Sequence, residues 1–164
     1  MRATGAERDY IPCAIALGSN LGKSIEILNQ AVKIIELTPE INLINCSQWY
    51  QTKPVGPPQP DYLNGCVTIN TSFSPLELLD FLLNIETKFG RERKEKWGAR
   101  TLDMDIIFYG NSIINLPQLK IPHPLMRERT FVLIPLAEIA PNWIDPVTNL
   151  TVQELLKNIL LPVV

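Results

Sequence analysis

The chain has 164 residues and a formal net charge of −2. That length suits one domain with its own core. The charge argues against a nucleic-acid or acidic-membrane footprint over the whole surface, and no apolar run approaches the roughly eighteen residues needed to span a bilayer.

The first nine residues, Met1 to Asp9, are polar, carry both charge signs and lack an apolar h-region; they read as a disordered N-terminal tail without a secretory signal. A single domain over 10–164 is expected. Tyr10 to Leu17 is β-branched and apolar, stops at Gly18-Ser19-Asn20, and predicts a buried strand. Ser24 opens a helix with Ile25, Leu28, Val32 and Ile35 on one face. It stops before Thr38-Pro39, because proline disfavours helix at the residue before it.

Ile41 to Tyr50 alternates apolar and polar residues, the pattern of a half-exposed strand. Gln51 to Asp61 then holds four prolines in eleven residues, which excludes helix and interior strand. Loops of that length in compact domains are often functional. Tyr62 to Ser72 reads as a strand. Ser74-Pro75-Leu76-Glu77 is a capping box with proline at the first helical position, starting a helix to about Lys88.

Thr101 to Tyr109 is the last clear strand. Pro122 to Pro141 reads as short helices broken by prolines, and Thr151 with Glu154 makes a second capping box for a C-terminal helix. The order β-α-β-β-α-β predicts an α+β, ferredoxin-like antiparallel sheet with packed helices and a helical C-terminal extension.

The most informative stretch is Arg100-Thr101-Leu102-Asp103-Met104-Asp105-Ile106-Ile107-Phe108. Alternate strand residues share a face, so Leu102, Met104, Ile106 and Phe108 form an apolar side, while Asp103 and Asp105 point the other way. Such carboxylates lie roughly 6.5–7 Å apart at Cα and can converge on divalent cations. Hard oxygen ligands favour Mg²⁺. The competing reading is a solvated face with salt bridges.

Just upstream, Gly90 to Arg100 carries five positive and two negative side chains. Alone, such a run is usually a solvated surface. Beside a metal site it suits an anion with several phosphates, with arginines as bidentate forks and Lys94 or Lys96 as point charges. The only histidine, His123, lies between Pro122 and Pro124 and precedes Arg127, Arg129 and Phe131. It is either structural or a donor to a phosphate oxygen.

Several classes are excluded. There is no G-x-x-x-x-G-K-[ST] loop, no G-x-G-x-x-G fingerprint, no His-rich metal site, and no RNP1 aromatic pattern. Of the three cysteines, Cys13 and Cys66 lie in apolar runs and no pair has C-x-x-C spacing. They read as reduced core thiols, which points to a reducing, cytoplasmic compartment. A two-metal hydrolase and a non-catalytic ferredoxin-like module remain open from these residues alone.

From about Ile11 to Leu156 the chain resembles the 6-hydroxymethyl-7,8-dihydropterin pyrophosphokinases of folate synthesis. The matching stretches are A-I-A-L-G-S-N-L-G at 14–22, T-K-P-V-G at 52–56, D-Y-L-N at 61–64 and G-R-E-R at 90–93. They continue with K-W-G-A-R-T-L-D-M-D-I-I at 96–107, I-P-H-P at 121–124 and R-T-F-V-L-I-P-L at 129–136. The resemblance implies transfer of the β,γ-pyrophosphoryl group of ATP to the pterin's hydroxymethyl oxygen, with AMP released.

It further implies that Asp103 and Asp105 bind two Mg²⁺ ions and that Arg91 and Arg93 act with them in catalysis. Glu86, Arg93, Trp97, Arg100, His123 and Arg129 would contact ATP. Thr52, Val55, Tyr62, Asn64, Trp97 and Phe131 would line the pterin pocket, with Tyr62 and Phe131 sandwiching the ring. The expected partners are these small molecules, with no nucleic acid or membrane, and the expected state is a monomer. Leu83 departs from the glutamine of some members, Lys53 from a frequent proline or acid, and the basic loop is one residue shorter than in some relatives.

Overall fold

The computed structural model describes residues 9–53, 58–90 and 101–160. The expected N-terminal tail lies almost wholly outside them, as do Val55, Arg91, Arg93, Trp97 and Arg100.

Strand β1 (Ile11–Ser19) leads into α1 (Ser24–Leu37), β2 (Ile41–Cys46), β3 (Tyr50–Thr52), β4 (Tyr62–Thr71), α2 (Pro75–Lys88) and β5 (Asp103–Tyr109). The sheet order is β2-β4-β1-β5, with β3 also paired to β4. Each of these pairings is antiparallel. Taking β2 and β3 as one interrupted strand gives the expected split βαβ arrangement.

Helices α1 and α2 cover one face, with Leu28, Ala31, Ile35, Leu78, Leu82 and Ile85 buried against Cys13, Ile15, Leu17, Val67 and Ile69. Ile25, expected on the buried stripe of α1, is 55% exposed, and Ala31 takes that place. The capping box on α2 is formed: the Glu77 N–H donates to Ser74 Oγ at 3.2 Å and the Ser74 N–H to Glu77 Oε1 at 2.8 Å.

The strand expected over Ile41–Tyr50 is broken at Ser47-Gln48-Trp49. Its residues are taken by other bonds. The Ser47 hydroxyl accepts from the Cys66 N–H at 2.9 Å, and the Trp49 indole donates to Asn29 Oδ1 at 2.9 Å. A Cβ on Gly65 would sit 2.5 Å from the Trp49 ring, so the bare glycine makes room for the indole.

A hairpin follows β5, formed by β6 (Ile114–Leu116) and β7 (Leu119–Ile121). It was not among the expected elements. Beyond it come a 3-10 turn (Met126–Glu128), α3 (Thr130–Ile139) and α4 (Val152–Leu160). Helix α3 runs through Pro135 instead of breaking there, with the proline buried. The second capping box is also formed, Thr151 N–H to Glu154 Oε1 at 2.9 Å and Glu154 N–H to Thr151 Oγ1 at 3.1 Å.

These C-terminal elements cover the other sheet face around Ala14, Cys66, Ile107, Phe108, Met126, Val132, Leu133 and Leu136. Phe108 stacks on Trp143 with centroids 5.5 Å apart. Here one expectation fails. Ile15 pairs with Ile106 and Ala14 with Phe108, so Ile107 is an extra residue in β5. This bulge turns Ile107 and Phe108 both toward the α3 side, away from Leu102, Met104 and Ile106. Strict alternation therefore holds as far as Ile107 and fails at Phe108. Cys13 and Cys66 pack in the core as expected while Cys46 is exposed, and burial pushes Cys13 up to about 12 and Cys66 further in the same direction.

Candidate functional site

Asp103 and Asp105 open β5 ahead of the bulge, where the register with β1 is regular: Gly18 opposes Asp103 and Ala16 opposes Asp105. The two carboxylates therefore leave the same face. That is the face on which Cys66 and Ala14 meet α3, while Met104 between them enters the opposite core. Alanine and glycine alongside keep side-chain bulk away from the pair. Asp103 and Asp105 are partly exposed, and two such carboxylates could hold Mg²⁺, which takes one or two protein carboxylates and completes its shell with substrate phosphates and water. Among the described residues no group of three or more His, Cys, Asp or Glu makes a closed metal cage.

Strand β5 lies at the sheet edge, so Met104 turns its N–H away from β1. The Glu86 carboxylate, 4% exposed at the end of α2, accepts that N–H at 2.7 Å. Glu86 thus fixes the backbone between the two aspartates from beneath. This bond engages one oxygen of a side chain that the resemblance assigns to ATP.

On the other side of β1, Gly18 opposes Asn64 of β4. Asn64 is 6% exposed and donates through Nδ2 to Thr52 Oγ1 at 2.5 Å. Thr52 in turn opposes Tyr62. A Cβ at Gly18 would meet Asn64 Oδ1 at 2.8 Å and Tyr62 Cδ1 at 3.5 Å. Thr52, Tyr62 and Asn64, all expected at the pterin pocket, are therefore brought together around Gly18. Asn64, Gly18 and Asp103 lie in one row across three strands, roughly 10 Å from end to end at a strand spacing of about 4.8 Å.

Two residues of this corner had no role assigned from the sequence. Gly18 is one. The other is Asn20, 3% exposed, whose Nδ2 donates to Gln59 Oε1 and to the Pro60 carbonyl, both at 2.8 Å. It ties the end of β1 to the proline-rich loop just before Tyr62. The signal was the G-S-N run that ends the first strand; its role needs the partner segment, 39 to 40 residues away.

The turn after β7 supplies the basic side. The His123 N–H donates to the Ile107 carbonyl at 3.2 Å, and His123 Nδ1 accepts the Leu125 N–H at 3.2 Å. Burial first, and then the Arg129 guanidinium, lower the imidazole to about 4 against an opposing pull from Asp103. The ring is therefore neutral at pH 7. With Nδ1 accepting, its proton sits on Nε2, which leaves one N–H to donate. Arg129 is the N-cap of α3, and its guanidinium carbon lies 5.3 Å from the centre of the Phe131 ring, within reach of a cation–π interaction. Arg129 thus joins the expected phosphate side to the expected ring-stacking side.

An open groove of about 460 Å³, lined by Ile11, Tyr109, Asn111 and Trp143 among others, lies at the far end of β1 and β5 from the aspartates. It is apart from this constellation.

A ferredoxin-like sheet with paired strand carboxylates, a neutral histidine, an arginine and an aromatic–amide corner gathered at one end defines the chain as an α+β protein of the kind that could present an acidic pair to a ligand. Residues 14–141 match the model of the 7,8-dihydro-6-hydroxymethylpterin-pyrophosphokinase family. The chain belongs to that family.

Among curated relatives, it is 51% identical over 145 residues to the 2-amino-4-hydroxy-6-hydroxymethyldihydropteridine pyrophosphokinase of Synechocystis sp., covering 88% of this chain and 74% of that protein. The enzyme of the same name from Haemophilus influenzae is 47% identical over 148 residues, covering 90% and 92%. Among solved structures, wild-type Plasmodium falciparum HPPK-DHPS matches with a TM-score of 0.72 at 17% identity, covering 93% of this chain. This chain spans 45% of the length of that one, and at such identity the likeness concerns the fold.

Proposed function

We propose that the protein transfers the β,γ-pyrophosphoryl group of ATP to the hydroxymethyl oxygen of 6-hydroxymethyl-7,8-dihydropterin, giving the pterin diphosphate and AMP for folate biosynthesis. Beyond the family membership, one observation carries this reading. The carboxylate pair and the amide–aromatic corner occupy one sheet face, separated by a single glycine. A ring read by Asn64 and stacked by Tyr62 and Phe131 would place a short hydroxymethyl arm over Gly18, toward Asp103.

The hydroxymethyl oxygen forms a bond to the β-phosphorus as the bond from that phosphorus to the α,β-bridging oxygen breaks. The bridging oxygen leaves with AMP, and the hydroxyl proton passes to water. Asp103 and Asp105 would hold two Mg²⁺ ions, which when bound supply neutralisation of the triphosphate charge. Asp103 also faces the attacking hydroxyl. His123 donates through Nε2–H to a phosphate oxygen, and Arg129 offers a fork to the same triphosphate. Arg91, Arg93, Trp97 and Arg100, outside the described residues, would complete the nucleotide side, with Val55 and Trp97 at the pterin. Catalysis of this kind is positioning and electrostatics.

We read the protein as a cytoplasmic monomer with one domain over 10–164, on the reduced thiols buried in its core. Separately, no helix among the described residues is long and apolar enough to cross a membrane. The deciding experiment is AMP release from ATP, measured with and without the pterin and Mg²⁺. AMP formation dependent on both is expected. Release of ADP, or hydrolysis without pterin, would reject the proposal.

A further inference from the structure

The segment from His123 to Arg129 holds both described residues assigned to phosphate, yet it has little structure of its own. Its backbone bonds within the turn are Met126 N–H to His123 O at 3.2 Å, Glu128 N–H to Leu125 O at 3.1 Å and Arg129 N–H to Met126 O at 3.2 Å. Short 3-10 turns of this kind are weak alone. Met126, fully buried, anchors one side. The other side is held by Arg127, which sits at the centre of the turn, four residues from His123 and two from Arg129.

Arg127 donates Nε to Asp145 Oδ2 at 2.6 Å and Nη2 to Asp145 Oδ1 at 3.0 Å. Asp145 is fully buried. Its carboxylate also accepts the Val147 N–H at 3.0 Å and the Thr148 hydroxyl at 2.8 Å. The loop that presents it is closed by Asp145 N–H to Leu150 O and Asn149 N–H to Asp145 O, both 2.8 Å, with Asn149 in the left-handed region at φ 64°. This is a built receptor for one guanidinium. An arginine forked onto a buried carboxylate is committed and does not serve as a free cation for phosphate.

We propose that Arg127 is a positioning residue: by docking onto Asp145 it holds the turn that aims His123 and Arg129 at the nucleotide. The proposal rests on the nucleotide reading of this site. It separates two neighbouring arginines by role, Arg129 for the ligand and Arg127 for the scaffold. The C-terminal loop around Asp145, remote in sequence from the signature motifs, thereby becomes part of the nucleotide subsite.

The test measures the affinity of a non-hydrolysable ATP analogue with Mg²⁺, the affinity of the pterin at saturating analogue, and the His123 ring resonances by NMR. Arg127→Met should weaken the nucleotide analogue at least tenfold, shift the His123 resonances in the ligand-free protein, and leave pterin affinity within about twofold. Asp145→Asn should act the same way, since it removes the anchor. Arg127→Lys, which keeps the charge but loses the fork, should fall between.

If Arg127 touched phosphate directly, Asp145→Asn would free its guanidinium and leave nucleotide affinity unchanged or tighter; that result overturns the proposal. So does an equal loss for both ligands, or an unmoved His123 signal. Should Arg127→Met fail to fold, Thr148→Val removes one donor from the same carboxylate: a several-fold loss confined to the nucleotide supports the proposal, and no loss or an equal one overturns it. Arg129→Ala is the control for the underlying reading. If it leaves nucleotide affinity intact, the nucleotide assignment fails; if it weakens binding while Arg127→Met does not, only the positioning role fails.

Discussion

Gly18→Ala tests the geometry of the site with one methyl group. The added carbon would lie 2.8 Å from Asn64 Oδ1, closer than real Cβ contacts come, so something must move. The backbone of β1 is held on both sides by β4 and β5, and the Asn64 amide is the softer partner. Moving it breaks or lengthens its 2.5 Å bond with Thr52 and turns the amide away from the ring it would read. Loss of one hydrogen bond at a buried polar group costs about 1–3 kcal/mol, which corresponds to roughly 5- to 150-fold in pterin dissociation constant. His123 and Arg129 lie outside the contact, so the nucleotide should bind within about twofold of wild type. Calorimetric titration of the pterin at saturating ATP analogue, beside titration of the analogue alone, reads both numbers. Unchanged pterin affinity, or an equal loss for both ligands, would refute the row of Asn64, Gly18 and Asp103 as the floor of the site.

Asp105→Ala should lower turnover by several orders of magnitude with little change in circular dichroism, and near-normal activity would remove the metal assignment. For the ligand-free protein, NMR should show His123 titrating with a midpoint near 4; a midpoint near the ordinary 6.5 would contradict its environment. Because the folded value is depressed, the unfolded chain binds more protons between these limits. The His123 contribution to stability is therefore lost as pH falls from about 6.5 toward 4, and His123→Gln should flatten that part of the stability profile. Gly65→Ala, whose methyl would lie 2.5 Å from the Trp49 ring, should cost about 1–3 kcal/mol by overpacking and leave ligand affinities unchanged once folded. A drop in pterin affinity at full folding would place Trp49 in the site.

How much of this was legible in advance depended on the range of the interaction involved. The capping boxes at Ser74 and Thr151 lie within four residues, and both formed as the local pattern predicted. The shared face of Asp103 and Asp105 follows from strand geometry across three residues. The same rule failed for Phe108, because the bulge at Ile107 is set by how β5 meets β1 and by the space opposite Trp143. Alternation also overran the break at Ser47-Gln48-Trp49, where Gly65 and Asn29 make room and a partner for the indole. Glu86 shows the same limit. Its carboxylate meets the Met104 N–H only because α2 packs beneath an edge strand.

The amino-acid sequence by itself determined the β-α-β-β-α-β order of the main sheet and its helices, the acidic pair with its basic and aromatic companions, and the family. These are short-range patterns, written in residue types a few positions apart. Only the tertiary structure decided that Gly18 lies between Asn64 and Asp103, that Asn20 clasps Pro60, and that Arg127 is committed to Asp145. Strand register and buried pairing bring together groups far apart along the chain, and which groups meet is settled by packing and by the need to satisfy every buried charge.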